Sequence, residues 1–435
     1  MNEQKSRREF LRNSALAGFG IWVSDPAKAQ GGKSPNSRVQ FGCIGVGGKG
    51  DSDSADAGRL GDVAAICDVD DDTLNHISLR FPKARKFNDY RKMLEVMGKS
   101  IDAVTVSIPD HSHGPAAILA MEMGKNCFCQ KPLAHSILEV RIMADIARRK
   151  RLATQMGNQG TASSNLRKFA AMVKAGAIGT IQEIHVWTNR PIWPQGDIHP
   201  IPGPVPANLH WNLWQGPVKH RPYAPGYAPF SWRGFWDYGT GSLGDMACHT
   251  MNLPFMALDL RNPVAVEATS SPDNHFSYPA SSVIKYYFGA NEHRPAVVMT
   301  WHDGGHNPPL DLLPPGQTKF SDSGSLMIGD KGSVYSPGDY GDTNFLTGGV
   351  DVGEVTYPVS PGHFEEFVRA IQEGIPAMSN FPNYAGPLAE MVLTGNLGLW
   401  STDKKIELDL PRMRVKNAPE VEPILKPRYY NGYRM

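Results

Sequence analysis

The chain has 435 residues, more than one ordinary hydrophobic core, so two domains are the simplest organisation. Its composition, 41% hydrophobic and 20% charged, is typical of a soluble globular protein. The 44 basic and 43 acidic residues leave a formal net charge of +1, which gives no electrostatic basis for binding nucleic acid or a membrane surface. After the N-terminus, no uninterrupted apolar run is long enough to span a bilayer.

The N-terminus has the three regions of an export signal. Residues 6–12, Ser-Arg-Arg-Glu-Phe-Leu-Arg, match the twin-arginine pattern, and a modestly apolar segment follows over 15–23. Ala27-Lys28-Ala29 is an A-x-A-type cleavage site. A basic amphipathic helix would not explain this order. The sequence therefore predicts a twin-arginine signal peptide over 1–29, a linker over 30–37, and a periplasmic or otherwise exported protein that crosses the membrane already folded.

A dinucleotide-binding motif comes next. The apolar run 39–44 is typical of a buried parallel strand, and the following residues, 45–50, satisfy G-x-G-x-x-G. The first glycine permits a tight turn, the second lets a pyrophosphate approach the backbone, and the last lets the next helix pack against the strand. The predicted cofactor contacts are Gly45, Gly47, Gly48 and Gly50.

An acidic residue supports this interpretation. A second predicted strand, 63–67, ends at Asp68, close to the ~20-residue spacing at which a carboxylate holds the adenosine ribose hydroxyls. A carboxylate there would repel a 2′-phosphate, and the acidic residues 70–72 add to the repulsion. NAD is therefore the predicted cofactor, with NADP less favoured. The alternative is a glycine turn in an unrelated α/β unit.

The cysteines indicate neither disulfides nor a metal. They are five, an odd number, and they fall in predicted strands and one helix, where buried thiols are the simplest interpretation. No cysteine or histidine spacing fits a metal site, so no metal is predicted. The residues are Cys43, Cys67, Cys127, Cys129 and Cys248.

Strands and helices alternate from residue 38 to residue 160, which predicts a doubly wound parallel sheet, a Rossmann domain. Ligands bind such sheets at the carboxyl ends of the strands. Three polar segments follow predicted strands there: a loop over 109–113, Gln130-Lys131-Pro132, and the segment 157–160, which precedes a helix at 163–175. The further predicted cofactor contacts are Pro109, Asp110, His113, Lys131, Asn158 and Gln159.

Together these motifs resemble the Gfo/Idh/MocA family, named for glucose–fructose oxidoreductase and inositol dehydrogenase. The family usually has Glu-Lys-Pro where this chain has Gln130-Lys131-Pro132. The resemblance implies that Lys131 lies beside the nicotinamide and contacts the reacting hydroxyl. The missing carboxylate leaves open how the charge of Lys131 is tuned.

Residues 161–435 are predicted to form a second, α+β domain for substrate binding and oligomerisation. The patterns over 264–300 and 325–357 indicate an open, largely antiparallel sheet. Helices within 363–400 are typical of the family's C-terminal end and could pack back toward the Rossmann domain. By analogy with relatives, a homo-oligomer, dimer or tetramer, is expected.

Two parts of this domain carry predicted substrate contacts. The Pro- and Trp-rich stretch 190–236 contains Arg190, Trp193 and Arg233, and its aromatic rings would suit stacking on sugar faces. The alternative is that these tryptophans cover the core or an oligomer interface. For any single tryptophan, this alternative is favoured over a ligand contact.

The second part is the predicted helix start at 241–252. Asp245 and His249 are separated by four residues and share one helix face, so the carboxylate could orient the imidazole as a general base. The pair also matches the family's D-x-x-x-H motif. Asn252 lies where many members have a further Asp or Asn, and it is a predicted contact to substrate or to another site residue.

The resemblance implies an NAD-dependent oxidoreductase acting on a sugar, glycoside or cyclitol, with Lys131, Asp245 and His249 as catalytic residues. Export would separate the protein from the cytoplasmic NAD pool, so a tightly held cofactor is expected. The main alternative is a redox-cycling glycosidase, which oxidises, eliminates, hydrates and re-reduces its substrate. A non-catalytic sugar-binding protein is a third interpretation. The expected partner is a small carbohydrate, with neither nucleic acid nor membrane.

Overall fold

The computed structural model describes residues 38–435, so the predicted signal peptide and linker lie outside the described residues. Within this range the chain forms two sheets, of six and nine strands. The first sheet contains β1 Gln40–Ile44, β2 Asp62–Cys67, β3 Arg85–Phe87, β4 Ala103–Val106, β5 Asn126–Cys129 and β6 Thr154–Met156.

The first sheet is entirely parallel, with the order β3-β2-β1-β4-β5-β6. Its central strands are buried on both faces, as their continuous apolar runs predict. The order reverses between β1 and β4, and the crevice at such a reversal is where doubly wound sheets bind dinucleotides. The predicted Rossmann architecture is confirmed.

The helices of this sheet are α1 Lys49–Leu60, α2 Asp71–Ser78, α3 Tyr90–Met97, α4 Asp110–Glu122 and α5 Ile137–Lys150. Helix α5 starts with a capping box, in which the backbone amide of Glu139 donates to the Ser136 hydroxyl (3.3 Å) and the Glu139 carboxylate accepts from the Ser136 amide (3.0 Å). The prediction of a polar loop over 109–113 was wrong. Pro109 has extended backbone angles and Asp110 already lies in the first turn of α4, where an acidic side chain favours the helix dipole.

The second sheet has the order β13-β12-β11-β7-β10-β9-β8-β14-β15. Only the β7–β10 pair is parallel and the other neighbours are antiparallel, which confirms the predicted largely antiparallel sheet. Its strands are β7 Ile181–Trp187, β8 Ala265–Ser270, β9 Ser282–Phe288, β10 Val297–Asp303, β11 Gly324–Gly329, β12 Gly332–Pro337, β13 Phe345–Gly348, β14 Ile406–Asp409 and β15 Arg414–Val415.

The remaining helices are α6 Ser164–Lys174, α7 Trp211–Gln215, α8 Gly241–Thr250, α9 Asn252–Leu258, α10 His363–Glu373, α11 Gly386–Trp400 and α12 Glu422–Leu425. Helix α10 packs on the Rossmann sheet, because its Phe364 and Phe367 enter one core cluster with Phe41 and Phe128. Helix α11 contacts α5, where the Arg141 guanidinium pairs with Glu390. Helix α11 also packs on strands β8 and β9, so these helices connect the second sheet to the first.

All five cysteines are buried and unpaired, as predicted. Over residues 38–435, no set of three or more His, Cys, Asp or Glu side chains is arranged to hold a metal ion. In the same range, no helix has both the length and the apolar character needed to cross a membrane.

Candidate active site

The glycine motif forms the turn between β1 and α1. Gly45 has φ of 77°, a left-handed conformation that disfavours any residue with a Cβ atom. A Cβ on Gly50 would lie 2.2 Å from the carbonyl oxygen of Gly45, so this glycine allows α1 to start directly against the turn. Gly47 and Gly48 lie between them, and a Cβ on Gly48 would meet nothing within 4 Å. The loop therefore offers open backbone for a phosphate group at the start of a helix.

Asp68 lies at the end of β2, beside this loop. Its carboxylate accepts hydrogen bonds from the backbone amides of Val46 (2.9 Å) and Asp70 (3.0 Å), which hold it in place and leave lone pairs for further donors. Burial raises the pKa of the Asp68 carboxyl, and the two amides oppose that rise. The glycine loop and this carboxylate fit the pyrophosphate and adenosine ribose of NAD.

A cluster of ionised side chains lies at the carboxyl end of the sheet. The Lys131 ammonium, just after β5, donates to the Asp245 carboxylate (2.8 Å) and to the Asp245 carbonyl oxygen (2.6 Å) in α8. Arg190, after β7, and Arg233 lie 3.4 and 3.3 Å from the same carboxylate. All four side chains are at most 22% exposed. The structure thus brings together predicted residues that are up to 114 positions apart.

Asp110 extends this cluster. Both of its carboxylate oxygens accept from Nη1 of Arg233 at 2.9 Å, and one also accepts from the Thr240 hydroxyl at 2.5 Å. The side chain is fully buried. The Asp110 carboxylate fixes Arg233, and its predicted cofactor contact stays a prediction.

His113, whose cofactor contact stays a prediction, is held between two backbone carbonyl groups. One ring nitrogen lies 2.8 Å from the carbonyl oxygen of Pro132 and the other 2.6 Å from that of Ile108. The ring is 1% exposed, and burial lowers its pKa. His113 therefore joins the segment before Pro109 to the loop that carries Lys131.

Asp245 does not orient His249 as predicted. Burial would raise the pKa of the Asp245 carboxyl, but the charges of Lys131, Arg233 and Arg190 together hold it well below its usual range. The carboxylate is occupied by these cations. A shared helix face placed Asp245 near His249, but the cations of other elements are its actual partners.

His249 is the free group of the site. Its Nδ1 is buried without a hydrogen-bond partner, and the ring meets Tyr340 edge-on with centroids 4.9 Å apart. Burial first, and then the nearby Lys131 charge, lower the pKa of His249 well below its ordinary value, so the imidazole is neutral at pH 7. A neutral imidazole without a protein partner can accept a proton from a bound molecule.

Gln130, which replaces the family's usual glutamate, has a buried partner. Its amide nitrogen donates to Asp53 of α1 at 2.7 Å, and the Ser107 hydroxyl donates to the same oxygen at 2.7 Å. The other Asp53 oxygen accepts from Lys49 at 2.8 Å. Asp53 is 2% exposed. A carboxylate therefore lies next to the Lys131 loop, but α1 supplies it instead of position 130.

Two predicted amide contacts are buried inside the protein. The Asn252 side chain donates to the Thr161 hydroxyl (2.8 Å) and accepts from the Tyr384 hydroxyl (2.5 Å), and it is fully buried. These internal hydrogen bonds hold the start of α9, and the predicted contact of Asn252 to substrate or to another site residue stays a prediction. Asn158 accepts from the Ser379 hydroxyl at 2.5 Å, while its buried Nδ2 has no partner in residues 38–435.

Gln159 and Pro109 complete the predicted cofactor contacts. Gln159 begins a 3₁₀ turn after β6, and Pro109 immediately precedes α4. Both lie where chain segments leave the carboxyl end of the parallel sheet. The unpartnered amide nitrogen of Asn158, in the same segment as Gln159, suits a nicotinamide that brings its own acceptor.

The tryptophans of 190–236 are core residues. Trp193 is 6% exposed and donates its indole proton to Gln195, and its predicted substrate contact stays a prediction. The others pack into aromatic clusters, and Trp232 supports the Arg233 guanidinium, which lies 4.3 Å from its ring centroid. The members of this set are Trp211, Trp214, Trp232 and Trp236.

Sequence reasoning missed Asp53, Thr240 and Tyr340. Asp53 lies in the first turns of α1, just after the glycine motif, and Thr240 immediately precedes α8. Tyr340 lies in a loop after β12. Their partners are distant in sequence, so no local pattern could have identified them. The acid four residues after Lys49 was the one available signal for Asp53.

Comparison with known proteins places this geometry in a family. Residues 39–158 match the model of an oxidoreductase family with an NAD-binding Rossmann fold, GFO_IDH_MocA. Residues 163–290 match the C-terminal alpha/beta domain of the same oxidoreductase family.

The chain is also similar to curated proteins and to solved structures. A protein of Shewanella pealeana named glycosyl hydrolase family 109 protein is 27% identical over 259 residues, 48% of this chain and 56% of that protein. Myo-inositol 2-dehydrogenase of Thermotoga maritima is 23% identical over 169 residues, 38% of this chain and 50% of the enzyme. The chain thus spans about half the length of these curated relatives. The WlbA dehydrogenase of Bordetella pertussis, solved with NADH and UDP-GlcNAcA, shares the fold, with a TM-score of 0.60, 16% identity, and coverage of 85% of this chain and 99% of that one.

Proposed function

Because the chain belongs to the Gfo/Idh/MocA family of NAD-binding oxidoreductases, we propose that it transfers a hydride between NAD and a hydroxyl-bearing carbon of a sugar, glycoside or cyclitol. The observation that carries the proposal is the cluster at the carboxyl end of the parallel sheet, where Lys131 is hydrogen-bonded to Asp245 and its charge acts on His249, whose Nδ1 has no partner in residues 38–435. When bound, NAD supplies the hydride acceptor. The groups that would hold it are the glycine loop, Asp68, and the segment of Asn158 and Gln159.

The side chains supply the proton chemistry. Oxidation of an alcohol releases a proton from the hydroxyl oxygen as the hydride leaves its carbon. His249 is neutral and unpartnered, so its imidazole accepts that proton. The Lys131 ammonium donates a hydrogen bond to the same oxygen and stabilises the negative charge that develops there. Asp245 positions Lys131 by accepting two hydrogen bonds from its ammonium, one on the carboxylate and one on the backbone carbonyl oxygen.

Turnover of a saccharide panel with added NAD tests the proposal, followed by the ultraviolet absorbance of the reduced nicotinamide. Lys131→Met and His249→Gln should each lower kcat about 10²-fold or more, the usual contribution of a positioned acid or base. Lys92→Met is the matched control, since that lysine is 59% exposed and pairs only with Glu95 on the surface. Losses below tenfold in both site variants would contradict the assigned roles.

A redox-cycling glycosidase is the second candidate. It is supported by the glycosyl hydrolase name of the Shewanella pealeana relative and by the export signal that we propose for residues 1–29. In that cycle, oxidation of a ring hydroxyl acidifies the adjacent C–H, the glycosidic group is eliminated, water adds, and the ketone is reduced again. The same His249 and Lys131 would serve both redox steps, and the cofactor would return to its starting state.

Product analysis separates the two candidates. The protein is incubated with aryl glycosides without added nucleotide. Release of the aglycone over many turnovers, with loss of activity in Lys131→Met, would favour the glycosidase. In a parallel incubation with NAD added, accumulation of a keto sugar in proportion to that NAD, with the glycosidic bond intact, would favour the dehydrogenase.

A further inference from the structure

The active-site cluster has more positive than negative charge. Within residues 38–435, Lys131, Arg190 and Arg233 form ion pairs with two carboxylates, those of Asp245 and Asp110, so this set of ion pairs has one more cation than anion. In residues 38–435, no other acidic side chain forms an ion pair with these three cations, and Lys49 is already paired with Asp53. An uncompensated charge that is largely removed from water is unfavourable unless a partner supplies the opposite charge.

The excess is concentrated on Arg190. Lys131 directs two hydrogen bonds at Asp245, and Nη1 of Arg233 contacts both oxygens of Asp110. The Arg190 guanidinium makes no hydrogen bond to either aspartate. Its Nη1 donates to the neighbouring Asn189 at 2.5 Å, while its Nε lies 3.4 Å from Asp245 and makes no hydrogen bond. Its Nη2 has no partner among residues 38–435, although the side chain is only 22% exposed.

The backbone around Arg190 is fixed. Its carbonyl oxygen accepts from the Gly304 amide at 2.8 Å, immediately after β10, and its own amide donates to the Thr188 hydroxyl at 3.4 Å. The guanidinium therefore projects from a segment tied to two neighbouring strands, β7 and β10. Such a preset position lowers the conformational entropy lost when a ligand binds.

We propose that the substrate carries a carboxylate and that Arg190 binds it, so that the enzyme acts on a sugar acid, such as a uronic acid or its glycoside. This inference rests on the proposed function and names its substrate class. A guanidinium fork matches a planar carboxylate through two parallel hydrogen bonds. One carboxylate also balances the excess charge of the cluster, whereas a phosphate group, with about −1.5 to −2 charges, would exceed it.

The test compares pairs of methyl glycosides that differ only at C6, a hydroxymethyl group in one and a carboxylate in the other. With wild-type protein, kcat/KM should be about 100-fold higher for the acid, since a charged hydrogen-bonding site discriminates strongly against a ligand that leaves it unpaired. Arg190→Gln should raise KM for the acid about 10- to 100-fold and lower the ratio of kcat/KM for the acid to kcat/KM for the neutral partner by a similar factor. Arg190→Lys should restore part of the preference.

Arg59→Gln is the matched control, because that arginine is 53% exposed and pairs with surface carboxylates far from the cluster. Equal turnover of acid and neutral sugars, both lowered alike by Arg190→Gln, would overturn the proposal and reduce Arg190 to a counter-ion of Asp245.

Calorimetric binding of the same acids to the NAD-loaded protein distinguishes this proposal from the proposed function. Binding of an acid that is lost in Arg190→Gln, without any hydride transfer, would support the anion site and contradict the oxidoreductase activity. Hydride transfer with neutral sugars alone would support the oxidoreductase activity and contradict the anion site. Binding of none of the acids would refute the anion site.

Discussion

The hydrogen bond between Gln130 and Asp53 makes the departure from the family's Glu-Lys-Pro motif testable. Gln130→Glu replaces a donor by a carboxylate at a site where the partner oxygen is 2.7 Å away and both side chains are at most 5% exposed. Two unit charges about 4 Å apart repel by ~4 kcal/mol at an effective dielectric constant of about 20. The variant should therefore lose about 4 kcal/mol of unfolding free energy at pH 8.

The loss should depend on pH in a defined direction. One proton shared between the two carboxylates removes their repulsion, so the folded variant favours the singly protonated pair. A carboxyl whose folded pKa is raised destabilises the protein above that pKa, and the penalty disappears as the pH falls and the proton is supplied. Urea unfolding should therefore show a smaller difference from wild type at pH 5 than at pH 8.

A second substitution and a control make the result specific. Asp53→Asn in the Gln130→Glu background returns one carboxylate and one amide to the pair, so most of the lost stability should return. Gln40→Glu is the matched control, since Gln40 also donates to an aspartate, Asp62, at 3.0 Å but on the surface, where the change should cost less than about 1 kcal/mol. Equal losses in the two glutamate variants, or no recovery with Asp53→Asn, would refute the buried pairing.

Three further predictions concern the site and its surroundings. An NMR titration should give His249 a pKa well below 6.5, and Lys131→Met should raise that pKa because the variant removes a nearby positive charge; a value near 6.5 in both proteins would contradict the neutral base. Gly50→Ala should weaken NAD binding more than tenfold, because the new Cβ would lie 2.2 Å from the Gly45 carbonyl oxygen. Gly289→Ala is the control and should bind NAD normally, because the nearest atom to its Cβ is in Val264, at 3.9 Å. Equal affinities of the two variants would argue against the glycine loop as the NAD site. Burial lowers the pKa of His111 to about 4, so below pH 6.5 the unfolded chain takes up a proton that the folded protein does not. The free energy of unfolding should therefore fall by up to about 3 kcal/mol as the pH drops to 4. If the pH profile of unfolding were unchanged in His111→Gln, this contribution would be disproved.

The sequence predicted well where a local pattern has one structural solution. The apolar run before Gly45 and the acid at position 68 predicted the β1–α1 turn and the end of β2, because glycine φ values and parallel-strand burial leave few alternatives. Helical spacing also placed Asp245 and His249 on α8.

Partner choice could not be predicted in the same way. Spacing along one helix identifies the residues that share a face, such as Asp245 and His249. The partners of the Asp245 carboxylate are instead three cations from other parts of the chain, Lys131, Arg190 and Arg233. The tryptophans of 190–236 were similarly ambiguous, since the same aromatic residues could form a sugar platform or a core. Their mutual stacking, as between Trp211 and Trp214 with centroids 4.8 Å apart, puts them in the core.

The most direct test of the account is the fate of hydrogen on the substrate carbon. Protein purified without added nucleotide is incubated with carbon-deuterated sugars and sugar acids, then denatured, and the released dinucleotide is weighed by mass spectrometry. The account predicts NAD in stoichiometric amount, with a fraction converted to a reduced form heavier by one deuterium, and no conversion in His249→Gln. A protein that releases no dinucleotide, and that never transfers deuterium to NAD when NAD is supplied, would contradict the central claim.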